Sequence, residues 1–347
     1  MFSIDFEDDI DGKIWREELR DFLPDRLLDF HGHLYGPGVE PKRDPAQVRE
    51  RQTAPNVADV FTIEDLDNVR RTLFPGKEYR ALLFGTVSED ADLVKSNAYV
   101  REATRASGDW ALAVPWMQDA EALAALVNDG GFLGFKPYWT LLEGIPPNDI
   151  TIEAMVPQPL RRAANALGAL IMLHIPRPGR LADPKNISGI IALCRQCPHA
   201  KIVLAHLGRA YMLSATARLD ELLSEGLDNL YWDFSNVQNW EVFEIFFRKL
   251  DLRRVLYGLD LPVAAIKGKM VIVNEQNLFL TKEPFAFSLH NPARAYRIRC
   301  TFYAYEIIRE CRKALSKLGK DDDRTVEDLF YNNGMRLIQE VQAGLAR

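Results

Sequence analysis

Short apolar runs alternate along this chain with longer amphipathic stretches, and the alternation holds from residue 26 to the carboxyl terminus. Eight of the runs have strand character: residues 26–31, 80–85, 110–115, 132–138, 169–174, 201–206, 230–234 and 254–258. Several are β-branched or aromatic without polar alternation, as expected of parallel strands covered on both faces. Between them apolar residues recur at helical spacing, as in 63–73, 90–106, 119–128, 160–167, 214–224 and 237–250, and two closing helices are expected at 301–318 and 325–343. Repeated strand-helix units predict the α/β class, and eight of them favour a closed (β/α)8 TIM barrel. No G-x-G-x-x-G turn follows the first run, which argues against an open dinucleotide-binding sheet.

Three segments exceed a minimal barrel: 35–58, rich in Pro, Arg and Gln; 139–159, with Pro146, Pro147, Pro157 and Pro159; and 261–292, after the eighth run. As long insertions at the carboxyl face they are the expected walls or lid of a site. The remaining sequence requires no second domain, so residues 1–347 are read as one unit.

With 43 basic and 49 acidic residues, a net charge of -6 and no basic block, the chain is not expected to bind nucleic acid. The start MFSIDFEDDIDGKIW is acidic and lacks a secretory pattern, and no apolar stretch has bilayer length, so a cytoplasmic protein with no membrane partner is expected. Cys194 and Cys197 form a lone C-x-x-C, read as reduced thiols at a helix end.

The chemistry concentrates at strand ends. His31 and His33 lie two apart, on one face of a strand, with Asp29 just behind them. His174 closes ALIMLH, His206 closes KIVLAH, and Asp260 follows RVLYGL. Polar groups recurring at strand ends point to one shared rim. Arg177 and Arg209 each stand three residues beyond a strand-end histidine, where a guanidinium clamps a substrate carboxylate or forms a rim salt bridge. Trp116, Tyr138 and Trp139 follow the third and fourth runs, either facing a cyclic substrate or packing helices onto the barrel. His199 precedes the sixth run and is expected to be uninvolved, and His290 is read as a surface histidine of the last insertion.

The ordered set DFHGH, GFLGFKPY, IMLHIP, KIVLAHLGR, YWDFSN, RVLYGLDLP and FYNNGMRLI resembles the amidohydrolase superfamily, more narrowly its amidohydrolase 2 family of metal-dependent hydrolases and aromatic-acid decarboxylases. The resemblance implies that His31, His33 and His174 bind a divalent metal, that Asp260 joins them or holds the metal-bound water, and that His206 is an acid or electrophile beside them. Such ligands suit zinc, with manganese, nickel or iron as alternatives. Lys136 falls where some relatives carry a carbamylated lysine between two metals. Here it is read as an ammonium that pairs with a carboxylate or binds an acidic substrate, beside one metal. Two departures, HLGRA in place of a second glycine and GLDLP in place of GSDYP, bear on the pocket more than on the metal. The implied function is hydrolysis of a small ester, lactone or amide, with non-oxidative decarboxylation of an aromatic or unsaturated acid as the alternative. Asp260 handles the proton in either case, and the resemblance makes a homo-oligomer the expected assembly.

Overall fold

The computed structural model describes residues 2–41, 57–115, 119–142, 144–290 and 299–346. Eight parallel strands stand where the apolar runs occur: β1 Arg26–His33, β2 Glu78–Phe84, β3 Trp110–Ala111, β4 Gly134–Phe135, β5 Leu170–Leu173, β6 Lys201–Leu204, β7 Leu230–Asp233 and β8 Val255–Leu256. Regular ladders join β1-β2-β3 and β4-β5-β6-β7-β8 in sequence order. The seams between these two sheets are joined by single bonds: Leu133 N donates to Ala111 O and Lys136 N to Ala113 O, both at 2.8 Å, while Phe30 N donates to Tyr257 O at 2.8 Å and Asp260 N to His31 O at 2.7 Å. The fold is thus the expected α/β barrel, with regular pairing interrupted at its two seams.

Helices α1 Ile63–Leu73, α2 Leu93–Ser107, α3 Ala120–Asn128, α4 Gln158–Leu167, α5 Pro184–Gln196, α6 Leu219–Leu223 and α7 Trp240–Lys249 connect the strands, and α8 Tyr303–Leu318 and α9 Asn333–Leu345 close the chain. Their starts are written locally: Thr62 and Asp65 form a reciprocal capping box on α1, and Asp92, Asp119, Asp183 and Asn239 cap α2, α3, α5 and α7. The helix expected over 214–224 is split into a 3-10 turn, Leu213–Thr216, and α6. Cys194 and Cys197 sit at the end of α5 as free, buried thiols.

Strand periodicity separates two layers of core. Leu28 and Phe30 of β1, Leu82 and Phe84 of β2, Leu170 and Met172 of β5, and Val203 and Ala205 at β6 form the inner cluster, joined by Leu337, Ile338 and Val341 of α9. Their alternate neighbours Leu27, Ile171, Leu173, Ile202 and Leu204 pack outward under the helices. The same alternation continues past the strand ends and directs the inward positions Lys136, His174 and Asp260 to the barrel mouth.

The insertion at 261–292 contains an antiparallel hairpin, β9 Gly268–Val273 and β10 Gln276–Thr281, rather than loop alone. Asn274 and Glu275 turn it with φ of 47° and 61°, the left-handed pair a two-residue hairpin turn requires. Segment 139–159 carries two short helical turns, Trp139–Leu141 and Ile152–Met155. Most of the insertion at 35–58 and Trp116 lie outside the described residues.

One glycine in the barrel wall is sterically required. A Cβ on Gly134, whose φ is 153°, would lie 2.0 Å from Leu170 O and 2.6 Å from Leu170 N. Gly134→Ala is therefore expected to part β4 from β5 and to lower stability by about 3 kcal/mol, the upper range for overpacking. A thermal unfolding midpoint equal to wild type would show that the wall yields instead.

Candidate metal centre

Local backbone irregularities at the mouth accompany the ring placement as much as side-chain identity does. In β1 the register shifts between Asp29 and Gly32, so His31 and His33, out of phase with the inward Leu28 and Phe30, still reach the mouth. At the end of β6 the inward parity belongs to Ala205, and His206 is re-aimed by a left-handed turn. The φ values of His206, Leu207, Gly208 and Arg209 are 57°, 50°, 68° and 58°. Asp260 is also left-handed, at φ 68°. Non-glycine residues held this way cost about 1 kcal/mol or more each and tend to cluster at functional sites.

Three imidazoles have their tautomers fixed by acceptors that carry no proton. His31 Nδ1 donates to Asp233 Oδ2 at 3.0 Å, His33 Nδ1 to Gly85 O at 3.2 Å, and His206 Nδ1 to Ser235 O at 2.9 Å. Each ring therefore offers its Nε2 lone pair to the mouth. The Nε2 atoms of His31 and His33 lie 3.4 and 3.1 Å from Asp260 Oδ1. That oxygen has no hydrogen-bond partner, although it is buried, while Asp260 Oδ2 accepts from Asn236 Nδ2 at 2.5 Å. Lone pairs and a carboxylate oxygen crowded together with no proton between them repel unless a cation sits among them. Among the described residues His31, His206 and Asp260 form the group able to hold an ion, with ligand atoms within 4.8 Å of one another. His174 adjoins them, its ring centroid 5.2 Å from that of His206 and its Nδ1 buried without a partner. The donor set fits a divalent metal.

Electrostatics agree with neutral rings and ionised carboxylates. Burial lowers His31, pushes His174 well below its ordinary value and lowers His206 to about 4. Burial alone would raise Asp260 and Asp233, but the neighbouring histidines more than offset it, leaving Asp260 far below the usual carboxylate range and Asp233 at about 2. Asp29 is the exception. Burial raises it to about 7 although its oxygens accept from Tyr79 Oη at 2.6 Å and from His31 N and Leu259 N at 2.9 Å.

Lys136 is fully buried, its Nζ 3.4 Å from His31 Nε2 and 4.6 Å from the Phe84 ring centroid. Among the described residues no carboxylate lies within ion-pair distance of it, and burial lowers it to about 8. Tyr138 stacks on Trp139 and lies tilted against His174, with centroid distances of 5.7 and 4.7 Å. Arg177 and Arg209 line a cavity of about 420 Å³ with Trp139, Asn148, Pro176 and Arg180. Arg177 Nε donates to Asp183 at 2.9 Å, and Arg209 Nη1 to the carbonyls of Ile175, Pro176 and Arg177 at 3.1 to 3.3 Å. His199 is exposed, and the His290 ring meets Thr281 O at 3.4 Å. Sequence reasoning gave no role to Asp233, Ser235 and Asn236, although the run YWDFSN marks them. They orient His31, His206 and Asp260.

Fold and site together define a parallel α/β barrel with a mouth competent to bind metal. The model of the amidohydrolase family matches residues 28–298, and the chain belongs to that family. No curated protein matches the chain. Solved structures share the fold at low identity. A 4-oxalomesaconate hydratase from Rhodopseudomonas palustris is 15% identical, covering 92% of this chain and 98% of its own, with a TM-score of 0.56. An amidohydrolase from Burkholderia multivorans with bound zinc is 11% identical over 90% and 99%, at 0.56. A 5-carboxyvanillate decarboxylase from Novosphingobium aromaticivorans, complexed with manganese and 4-hydroxy-3-methoxy-5-nitrobenzoic acid, is 12% identical over 90% and 96%, at 0.54. The described residues include no helix long and apolar enough to cross a membrane.

Proposed function

We propose that this chain is a metal-dependent hydrolase that cleaves a small ester, lactone or amide bearing a carboxylate. The observation that supports it most is the convergence of Nε2 lone pairs on an unpartnered carboxylate oxygen of Asp260. In this reading His31, His33, His174 and Asp260 hold one divalent cation, zinc by ligand type, with His206 close enough to join them. A cation bound there would supply Lewis acidity, bringing the pKa of a bound water to about 7 and polarising a carbonyl. Asp260 takes the proton of the attacking water and returns it to the leaving atom. His206, neutral and with its one proton on Nδ1 toward Ser235 O, has none at Nε2 to supply. The role of electrophile at the substrate oxygen passes to Lys136 Nζ, which is buried beside His31. Tyr138, Arg177 and Arg209 form the substrate wall.

The test is product identity. Metal-loaded protein is offered a panel of carboxylated lactones, esters and amides alongside aromatic and unsaturated acids. Release of acid or amine without carbon dioxide is expected. Carbon dioxide from an aromatic or unsaturated acid would replace the hydrolase with a decarboxylase, and turnover of nothing in the panel would count against both.

A further inference from the structure

We propose that Arg180 anchors a second carboxylate, so that the cavity it lines with Arg177 and Arg209 selects dicarboxylates over monocarboxylates. The inference deepens the hydrolase reading and rests on it for the place where chemistry occurs.

Of the three guanidiniums lining the cavity, two are already engaged: Arg177 is neutralised by Asp183, and Arg209 is spread over backbone carbonyls. Among the described residues Arg180 has neither a carboxylate nor a set of backbone carbonyls, and meets two neutral side chains. It opens the 3-10 turn Arg180–Ala182 after β5, with φ 55°, and is largely withdrawn from solvent. Its Nη1 contacts Met212 Sδ at 3.8 Å, and its Nη2 donates to the side-chain oxygen of Asn277. No carboxylate lies within ion-pair distance of it among the described residues. Burial lowers its pKa, and Arg209 adds to that effect against Tyr211. A part-buried cation satisfied by neutral acceptors is costly, and a planar anion completes it through two parallel N–H bonds.

Position ties this cation to the chemistry. The guanidinium carbon lies 5.1 Å from the Tyr211 ring centroid, and that ring lies 6.0 Å from the imidazole of His206. One tyrosine ring therefore lies between Arg180 and His206, and a small molecule with an acidic group at each end would join the two by running past that ring. The cavity, about 420 Å³, is of ligand size. Asn277 belongs to β10, so the hairpin holds the guanidinium without neutralising it.

The test compares matched pairs, isophthalate with benzoate and glutarate with butyrate, by titration calorimetry on the zinc-loaded full chain. The dicarboxylate of at least one pair is expected to bind about 30-fold tighter, the range of one charge-assisted bidentate contact. Arg180→Met should abolish that advantage while leaving benzoate affinity, zinc content and circular dichroism unchanged, and Arg180→Lys should restore part of it. Asn277→Asp, which supplies an internal carboxylate, should remove it as well. An advantage that survives Arg180→Met, its absence in wild type, or tighter binding of phenyl phosphate than of isophthalate would overturn the proposal. A wild-type protein that holds no zinc overturns the metal reading instead, and the same pairs titrated into it still decide Arg180.

Discussion

His31→Ala is expected to leave the protein without stoichiometric divalent metal and to abolish the stabilisation that zinc confers on wild type. His31 joins more of the centre than any other ring: Nδ1 is fixed by Asp233 at 3.0 Å, and Nε2 faces Asp260 Oδ1 and Lys136 Nζ, each at 3.4 Å. A ligand at a thousand times its dissociation constant stabilises a fold by about 4 kcal/mol, which for a chain of this size corresponds to roughly 6 °C in the unfolding midpoint. Wild type should show that rise on addition of zinc and lose it to a chelator, whereas His31→Ala should show neither. Because His31, His206 and Asp260 form the tight group, His206→Ala should weaken metal binding at least as much as His33→Ala. The reverse ranking would favour the arrangement that the family resemblance implies, with His206 outside the ligands. Stoichiometric metal in purified His31→Ala, measured by elemental analysis, would defeat the centre altogether.

The barrel was readable because its strands bury both faces and leave an apolar run wherever they occur. Inward parity was available for His174, which continues the phase of Leu170 and Met172, and for Asp260, which continues that of Leu256, while Lys136 stands two beyond Gly134, the register partner of Leu170. Phase alone would have misdirected the others. His31 and His33 depend on the register shift between Asp29 and Gly32, and His206 on four left-handed residues, and the composition cue in each case is a single glycine, Gly32 or Gly208. The same turn explains the departure HLGRA. Arg209 occupies a left-handed position suited to glycine, and its hydrogen bonds to three carbonyls hold it there. The hairpin in the last insertion escaped notice because its turn is Asn274-Glu275 rather than Asn-Gly, so the usual short-range signal is missing. Arg180 was passed over for a similar reason. Counting three residues beyond a histidine selects Arg177, and only the tertiary structure shows that Asp183 neutralises Arg177 and leaves Arg180 with neutral partners.

Acid should destabilise the metal-free protein through its buried imidazoles, and one buried carboxyl should oppose it. His206 titrates near 4 in the fold against 6.5 for the free group, because burial disfavours its charged form. As pH falls from 6.5 to 4 the unfolded chain takes up a proton that the native ring refuses, so this residue alone costs about 3 kcal/mol by pH 4. His31 and His174, lowered for the same reason, act in the same direction. Asp29 does the opposite. Its native value of about 7 lies above the ordinary 3.8, so the folded form carries a penalty above pH 7 that is relieved as pH falls toward 4, by about 4 kcal/mol. Chemical denaturation of chelator-treated protein between pH 4 and 8 separates the two. Relative to His206→Gln, wild type should lose stability as the solution is acidified. Relative to Asp29→Asn, which keeps an oxygen for the amides of His31 and Leu259, it should gain. Parallel curves for wild type and both variants would mean that these groups titrate in the fold as they do in water, and that the mouth of the barrel is wet.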